Sequence, residues 1–324
     1  PSNTPDTFVP RQSTRQTRPP SYLKEYQCHS CVLTTENVLN KHWCNLVAHD
    51  QIPLPHCTAK ADIPVEPANY QEASKSPLWI EAMDKEIQAL ENNNTWELVD
   101  LPKGKKAIGC RWVYKTKLKS DGTLERCKAR LVAKGYNQKY GVNYEETFSP
   151  VVKMSTVRCL ITLAASKKWQ LHQCDVNNAF LHGDLFEEVY MVVPDGIPNP
   201  EGKVCRLRKS IYGLKQASRR WFAKLTMELI MQGFKQSKND YSLFISKTEA
   251  GMTVVAVYVD DIIITGDNVA KIAEVKAHLD KVFSIKDLGL LHYFLGIEIM
   301  YLPDGIVLSQ KKFTKELLHD CPYD

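Results

Sequence analysis

At 324 residues and 44% hydrophobic content the chain is long enough for one large or two ordinary globular domains, which excludes a wholly disordered protein. The longest strongly apolar stretch, Met252–Tyr258 and then Ile262–Ile264, falls far short of the roughly 20 residues that span a bilayer, so no membrane segment is predicted. Its formal net charge is only +5, and with no secretory apolar run among the first residues the ten cysteines are read as reduced thiols, in a cytosolic or nuclear setting.

Residues 1–75 read as a mostly disordered linker and residues 76–320 as the folded region. Nine of the 17 prolines fall before residue 70, with no sustained helical or strand periodicity. Within this stretch Cys28-x-x-Cys31 is followed by Cys44 and Cys57. A structural zinc site usually shows a second close pair, and the spacing here is better read as chance.

Order is expected from Ser76, a residue suited to cap a helix with Pro77 at its first position. Trp79, Ala82, Met83, Ile87 and Leu90 then form a helical stripe that runs out at Asn92–Asn94. The next segment, IGCRWVYKTKLKSDGTLERCKARLVAKG, alternates as two strands around an Asp-Gly turn at Ser120-Asp121-Gly122. From Lys103 to Lys139 twelve basic residues stand against two acidic ones, an excess suited to a polyanion. By the period-two rule Lys115, Lys117 and Lys119 share one face of the first strand, and Lys128 and Arg130 one face of the second. A helix over 155–167, a strand over 171–176, a helix over 216–231 and a hairpin over 253–265 follow. Helices alternating with hairpins predict an α+β layered fold.

The chemistry gathers at Tyr258-Val259-Asp260-Asp261, set between TVVAV and IIIT. Adjacent aspartates are common in turns. Here both flanks are apolar enough to be core strands, so the two carboxylates repel and lose solvation unless a cation joins them. Asp175 lies at the end of another apolar strand and would complete a set of three. Three carboxylates can hold two Mg²⁺ ions about 3.5–4 Å apart, one activating a hydroxyl and one stabilising leaving pyrophosphate. Mg²⁺ suits such a site because it takes few carboxylates and keeps waters and substrate phosphates. Periodicity alone does not bring Asp175 to Asp260, 85 positions away.

YVDDIIITG, DVNNAFLHGDL, SIYGLKQASRRW and KDLGLLHYFLGIEI resemble, in order and spacing, the successive motifs of copia-type long-terminal-repeat retrotransposon reverse transcriptases. The likeness covers roughly residues 77–320, and the earlier RQSTRQTRPPSYLKEY is similar to the tract that joins integrase to reverse transcriptase in that polyprotein. The resemblance implies a right-hand polymerase with fingers, palm and thumb that performs RNA-directed DNA synthesis. Mg²⁺ would be its cofactor, with Mn²⁺ as a substitute, and template-primer and deoxynucleotides its partners. In the family, integrase and RNase H regions share the polyprotein, and the implied setting is the cytoplasm, within virus-like particles, with the nucleus as the alternative. An RNase H region would follow the thumb, so the thumb is expected to be partial in a chain that stops at Asp324.

Carried over residue by residue, Asp175, Asp260 and Asp261 are similar to the metal-binding aspartates, with Asp260 the stronger ligand of the pair. Phe180 resembles the aromatic beneath the incoming sugar. Tyr212, Gly213 and Lys215 resemble the loop that nucleotide and template approach closely, and Phe294-Leu295-Gly296 looks like the primer grip. Lys117 or Lys119 together with Arg130, and next Lys128, are candidates for the triphosphate. Taken singly, Phe180 is a core aromatic, Gly213 a turn glycine and 294–296 a strand end; their joint order carries the functional reading. Trp112, Tyr114, Trp221 and Phe222 are expected in the core before they are expected to stack on bases. Cys110, Cys127, Cys159, Cys174 and Cys205 are read as buried small apolar residues, and His172 and His182 receive no role. A two-metal nuclease also needs clustered carboxylates, and an inactive nucleic-acid-binding remnant would keep the same fold. The basic hairpin, Phe180 and a YxDD turn between apolar strands argue against the nuclease.

Overall fold

In the computed structural model the described residues are 63–119, 123–199 and 201–320. The cysteines at 28, 31, 44 and 57, the linker up to residue 62 and the Ser120-Asp121-Gly122 turn lie outside them. Residues 63–75, placed in the linker by composition, already pack. Trp79 Nε1 donates to the Val65 carbonyl (3.2 Å), and Thr116 donates from N to Glu66 Oε1 (2.8 Å) and from Oγ1 to the Pro64 carbonyl (3.1 Å). Proline keeps this stretch out of regular structure, while its carbonyls and Glu66 remain free to accept. A short helix, α1 (Tyr70–Ala73), follows, capped by the Asn69 side chain.

Helix α2 (Pro77–Asn92) carries Pro77 in its first turn as predicted, although Ser76 makes no side-chain cap bond. Its buried stripe is Trp79, Ala82, Met83, Glu86 and Leu90, with Ile87 only partly covered. Strand β1 (Trp96–Val99) comes next, then the hairpin β2 (Cys110–Leu118) and β3 (Leu124–Ala133). Alternation decides which side of the hairpin is covered: Trp112, Tyr114, Ala129 and Leu131 are buried against α2, where Trp79 meets Tyr114 edge-on at 5.4 Å. The cationic residues are left on the opposite face.

The centre is built by helix α3 (Met154–Lys167), strand β4 (Leu171–Val176), the short strands β5 (Tyr190–Val192) and β6 (Val204–Leu207), and helix α4 (Ala217–Met231). Strands β7 (Lys235–Gln236), β8 (Leu243–Thr248), β9 (Gly251–Tyr258) and β10 (Asp261–Gly266) follow, then helix α5 (Val269–Phe283) and strand β11 (Ile285–Leu290). The C-terminal part holds β12 (Tyr293–Phe294), β13 (Ile297–Leu302), β14 (Gly305–Ser309) and helix α6 (Lys311–Asp320).

Six strands form one antiparallel sheet in the order β11-β4-β10-β9-β8-β7, and smaller sheets β1-β6-β5 and β12-β13-β14 accompany it. The large sheet is covered on both faces, which explains why TVVAV and IIIT are continuously apolar instead of alternating. On one face Cys174, Val176, Val257, Ile262 and Ile264 pack against α4 and α5. On the other, Leu171, Val254, Ala256 and Ile263 pack against α3 and the β12-β13-β14 sheet. Helices and antiparallel sheets mix as the α+β expectation requires. No helix among the described residues is long and apolar enough to cross a membrane.

Candidate active site

Strand β4 lies between β10 and β11, and register does what sequence spacing could not. Asp175 stands directly opposite Asp261 of β10 on one side and Lys286 of β11 on the other. Directly opposed residues of an antiparallel ladder share a face, so a carboxylate and an ammonium flank Asp175. Asp260 sits one residue away in the two-residue turn between β9 and β10, and its carbonyl accepts from Val176 N at 2.9 Å. The turn residue before it, Val259, has φ +57°, and Asp260 does not share that left-handed conformation. A first turn position with positive φ favours glycine, and a β-branched residue held there costs about 1–3 kcal/mol.

Burial, and after it the charge of Asp260, holds the Asp175 carboxyl above the usual carboxylate range, while Lys128, Lys286 and Arg130 pull it down. Burial also raises Asp261, against a hydrogen bond from Gln173 Nε2 (3.2 Å); the charges of Asp260 and Asp175 add to the rise. The three side chains offer hard carboxylate oxygens with no thiolate or imidazole among them, a donor set of the kind that a divalent cation such as Mg²⁺ takes. Among the described residues no three His, Cys, Asp or Glu side chains converge closely enough to hold an ion between them. The backbone thus gathers the aspartates at one sheet end while their side chains stay apart.

The cationic face of the hairpin turns toward this site. In its register Lys115 opposes Lys128 and Lys117 opposes Arg126, pairings of like charge that a polyanion would relieve. Arg130 Nε is buried with no hydrogen-bond partner, and its guanidinium lies 4.0 Å from the centroid of the Tyr212 ring. A buried donor without a partner is rare in folded proteins. Burial, and then Arg130, lowers the Lys128 ammonium. Both Lys128 and Arg130 act on Asp175, whereas Lys117 and Lys119 do not figure among the charges that shift it. Tyr212 in turn lies 4.8 Å from Phe180, and burial pushes its hydroxyl up to about 12.

Gly213 packs against the backbone of the hairpin, and Lys215, two residues on, does not point at a free space. Lys215 Nζ donates to the Gln138 carbonyl and the Tyr144 hydroxyl, both at 3.2 Å, and its backbone N donates to Gln138 Oε1 at 2.8 Å. Gln138 Nε2 then donates to Gln216 Oε1 at 2.9 Å, which completes a buried amide clamp. Gly213 has φ +89°, and a Cβ there would lie 2.1 Å from the Ala133 carbonyl oxygen. Gly213→Ala is therefore expected to cost about 3 kcal/mol, since backbone must move and a left-handed alanine adds strain. Thermal unfolding measures this; an unchanged melting temperature would contradict the close approach.

Phe294 is 2% exposed and meets Tyr258 edge-on at 6.2 Å, so its side chain belongs to the core. Leu295 (φ +49°) and Gly296 (φ +81°) form the β12–β13 turn, which leaves backbone and the Leu295 side chain as the parts able to meet a strand. Trp112, Tyr114, Trp221 and Phe222 are buried, in keeping with a core role. Cys174 and Cys205 are buried, Cys110 and Cys127 are half-buried, and Cys159 is exposed, so burial holds for only part of the cysteine set. Lys286, Gln173 and the Gln138–Gln216 clamp were not predicted: a lysine in KDLG and scattered glutamines carry no local signal.

One end of the large sheet bears Asp175, Asp260 and Asp261, and the charges of Lys128 and Arg130 on the basic hairpin reach Asp175. The family model described as reverse transcriptase (RNA-dependent DNA polymerase) matches residues 93–322, and the chain belongs to that family. It is similar to the retrovirus-related Pol polyproteins from the Arabidopsis thaliana transposons RE2 (46% identical) and RE1 (45%), each over 78% of this chain and 18% of the relative. The same holds for the Pol polyprotein from the Nicotiana tabacum transposon TNT 1-94, 40% identical over 78% of this chain and 20% of the relative. These are copia-type elements, and the chain spans about a fifth of the curated relatives it matches.

Proposed function

We propose that this chain carries the polymerase site of a copia-type reverse transcriptase, joining deoxynucleotides to a primer 3′-hydroxyl on an RNA or DNA template. The observation that carries the reading is the register that sets Asp175 between Asp261 and Lys286 with Asp260 at the adjoining turn. In right-hand terms the β2–β3 hairpin with α2 forms the fingers and the large sheet with α3, α4 and α5 the palm. The β12-β13-β14 sheet and α6 then form the start of the thumb.

Asp175, Asp260 and Asp261 would hold two Mg²⁺ ions, with Mn²⁺ as a substitute. When bound, these ions supply activation of the primer hydroxyl and neutralisation of charge on the leaving pyrophosphate. Lys128 and Arg130 bind the triphosphate; the Tyr212 ring supports the Arg130 guanidinium from below, and the partnerless Nε is free for a phosphate oxygen. Phe180 underlies the sugar. The Leu295–Gly296 turn meets the primer strand. The partners are template-primer and deoxynucleotides, with integrase and RNase H regions in the longer polyprotein and virus-like particles as the setting.

Primer extension on homopolymer RNA and DNA templates with Mg²⁺ tests the reading, run on this chain and on a version extended C-terminally along the polyprotein. Extension supports it, primer shortening points to a nuclease, and retention without turnover to a binding protein. Salt supplies a separate check. Each phosphate contact contributes about −0.7 to −0.9 to the log–log slope of affinity against salt, so neutralising Lys128 and Arg130 together should flatten that slope measurably. An unchanged slope would mean that the hairpin is a solvated face.

A further inference from the structure

Trp221 has no part in the chemistry above, yet its indole reaches the backbone of the turn that carries Asp260. The side chain is 1% exposed, and Nε1 donates to the Val259 carbonyl at 2.7 Å. The ring itself is fixed: it meets Phe283 of α5 edge-on at 4.9 Å and His182 at 5.9 Å. Its own backbone sits so close to Gly183 that a Cβ on that glycine would lie 2.7 Å from Trp221 N. The donor is thus immobile before it meets the turn.

What it holds is a residue with reason to move. Val259 is β-branched and left-handed, a conformation that persists only when the surroundings impose it. The carbonyl gripped by the indole belongs to the peptide plane shared with Asp260, so fixing that oxygen fixes the plane on the N-terminal side of the aspartate. The plane on the other side is fixed by Val176 N, which donates to the Asp260 carbonyl at 2.9 Å. Asp260 therefore has its Cα suspended between two pinned peptide groups, one set by the sheet and one by α4.

We infer that Trp221 is a positioning residue that locks the strained Val259–Asp260 peptide and thereby aims the Asp260 carboxylate. This rests on the assignment of Asp260 to the polymerase site. An aromatic packed there for volume alone would, as phenylalanine, cost stability without a selective loss of rate; a positioning donor would cost rate.

The test is a cycle of Trp221→Phe, Val259→Gly and the double variant, with single-nucleotide incorporation, duplex binding and melting temperature measured on each. In the parent background Trp221→Phe should lower kcat about tenfold or more, with KM for the deoxynucleotide and duplex affinity within about twofold, because a small misplacement costs rate more than binding. Glycine adopts a positive φ without strain, so in the Val259→Gly background the same change should cost about threefold or less. An equal loss in both backgrounds, or a loss confined to KM or to melting temperature, would overturn the inference. Independently of activity, the ¹⁵N-labelled indole N–H of Trp221, assigned by its disappearance in Trp221→Phe, should resonate downfield and exchange slowly. A solvent-like, fast-exchanging indole would also overturn it. A parent chain that extends no primer would remove the polymerase reading only, and the indole resonance would then decide whether the turn is held.

Discussion

Asp260→Asn is expected to lower primer extension by about a thousandfold or more while leaving duplex affinity within about twofold. Asparagine keeps the shape of aspartate and removes its charge. Phosphoryl transfer depends on positioning and on neutralising developing charge, so the loss falls on the reaction and not on binding of the duplex. The structure adds a stability signature. Burial together with the Asp260 charge holds Asp175 above the ordinary carboxylate range, and the same charge contributes to the rise at Asp261. Carboxyls raised in the folded state contribute stability that is present below the ordinary carboxylate range and is lost as pH rises through the raised values. Without divalent ions these two carboxyls therefore contribute stability that grows as pH falls from neutrality toward that range, opposed in the same window by His172 and His182, which burial holds below the usual imidazole range. Asp260→Asn should weaken this trend and melt at or above the parent temperature at pH 7. The backbone bond from Val176 to the Asp260 carbonyl does not depend on the side chain, so the turn survives the exchange. Extension within tenfold of the parent, or a lowered melting temperature, would sink the assignment.

Phe180→Val is expected to raise ribonucleotide use relative to deoxynucleotide use by about tenfold or more, roughly 1.4 kcal/mol of lost discrimination. After β4 the chain reverses through Asn178, which is left-handed at φ +48°, and a turn of 3-10 helix at 179–182 sets Phe180 beside Tyr212. A ring beneath the sugar would clash with a 2′-hydroxyl and offer it no hydrogen bond, so a ribonucleotide would bind misaligned and react slowly. The competing role is structural, since Phe180 is half-buried and packs against both the hairpin core and the core under α4 and α5. Loss of a core phenylalanine costs about 3–5 kcal/mol when alanine replaces it, and would depress both substrates alike. Incorporation efficiencies for paired ribo- and deoxynucleotides at one template position, with a melting curve on the same sample, separate the two. A lower melting temperature with an unchanged ratio would decide for packing.

Features governed by neighbours in sequence were legible without coordinates. Pro77 starts α2 and its apolar stripe faces inward because a helix repeats every 3.6 residues, and the hairpin shows its cations on one face because a strand repeats every two. The YVDD turn stands between two strands that are buried, as their unbroken apolar runs required. Composition served less well at 63–75, where proline suggested a linker and the chain is held by carbonyl and carboxylate acceptors.

The sequence by itself determined helices α2, α3 and α4, strand β4, the β2–β3 and β9–β10 hairpins, the three aspartates at or beside strand ends, the basic face and, through four ordered motifs, the family, while α5, β11 and the elements after them went unread. It could not determine which strands become neighbours. Pairing in a sheet joins residues far apart in the chain, and a slip of one residue would turn every side chain to the other face. Only the assembled sheet puts Lys286 and Asp261 on either side of Asp175. Likewise, the resemblance offered Lys117 or Lys119, Arg130 and Lys128 as candidates without fixing which, and the folded hairpin brings Arg130 against Tyr212 and the charges of Lys128 and Arg130 to bear on Asp175. Lys215 and Phe294 sit within matching motifs, yet tertiary packing directs the first into an amide clamp and the second into the core, because a side chain takes its partners from the elements folded against it.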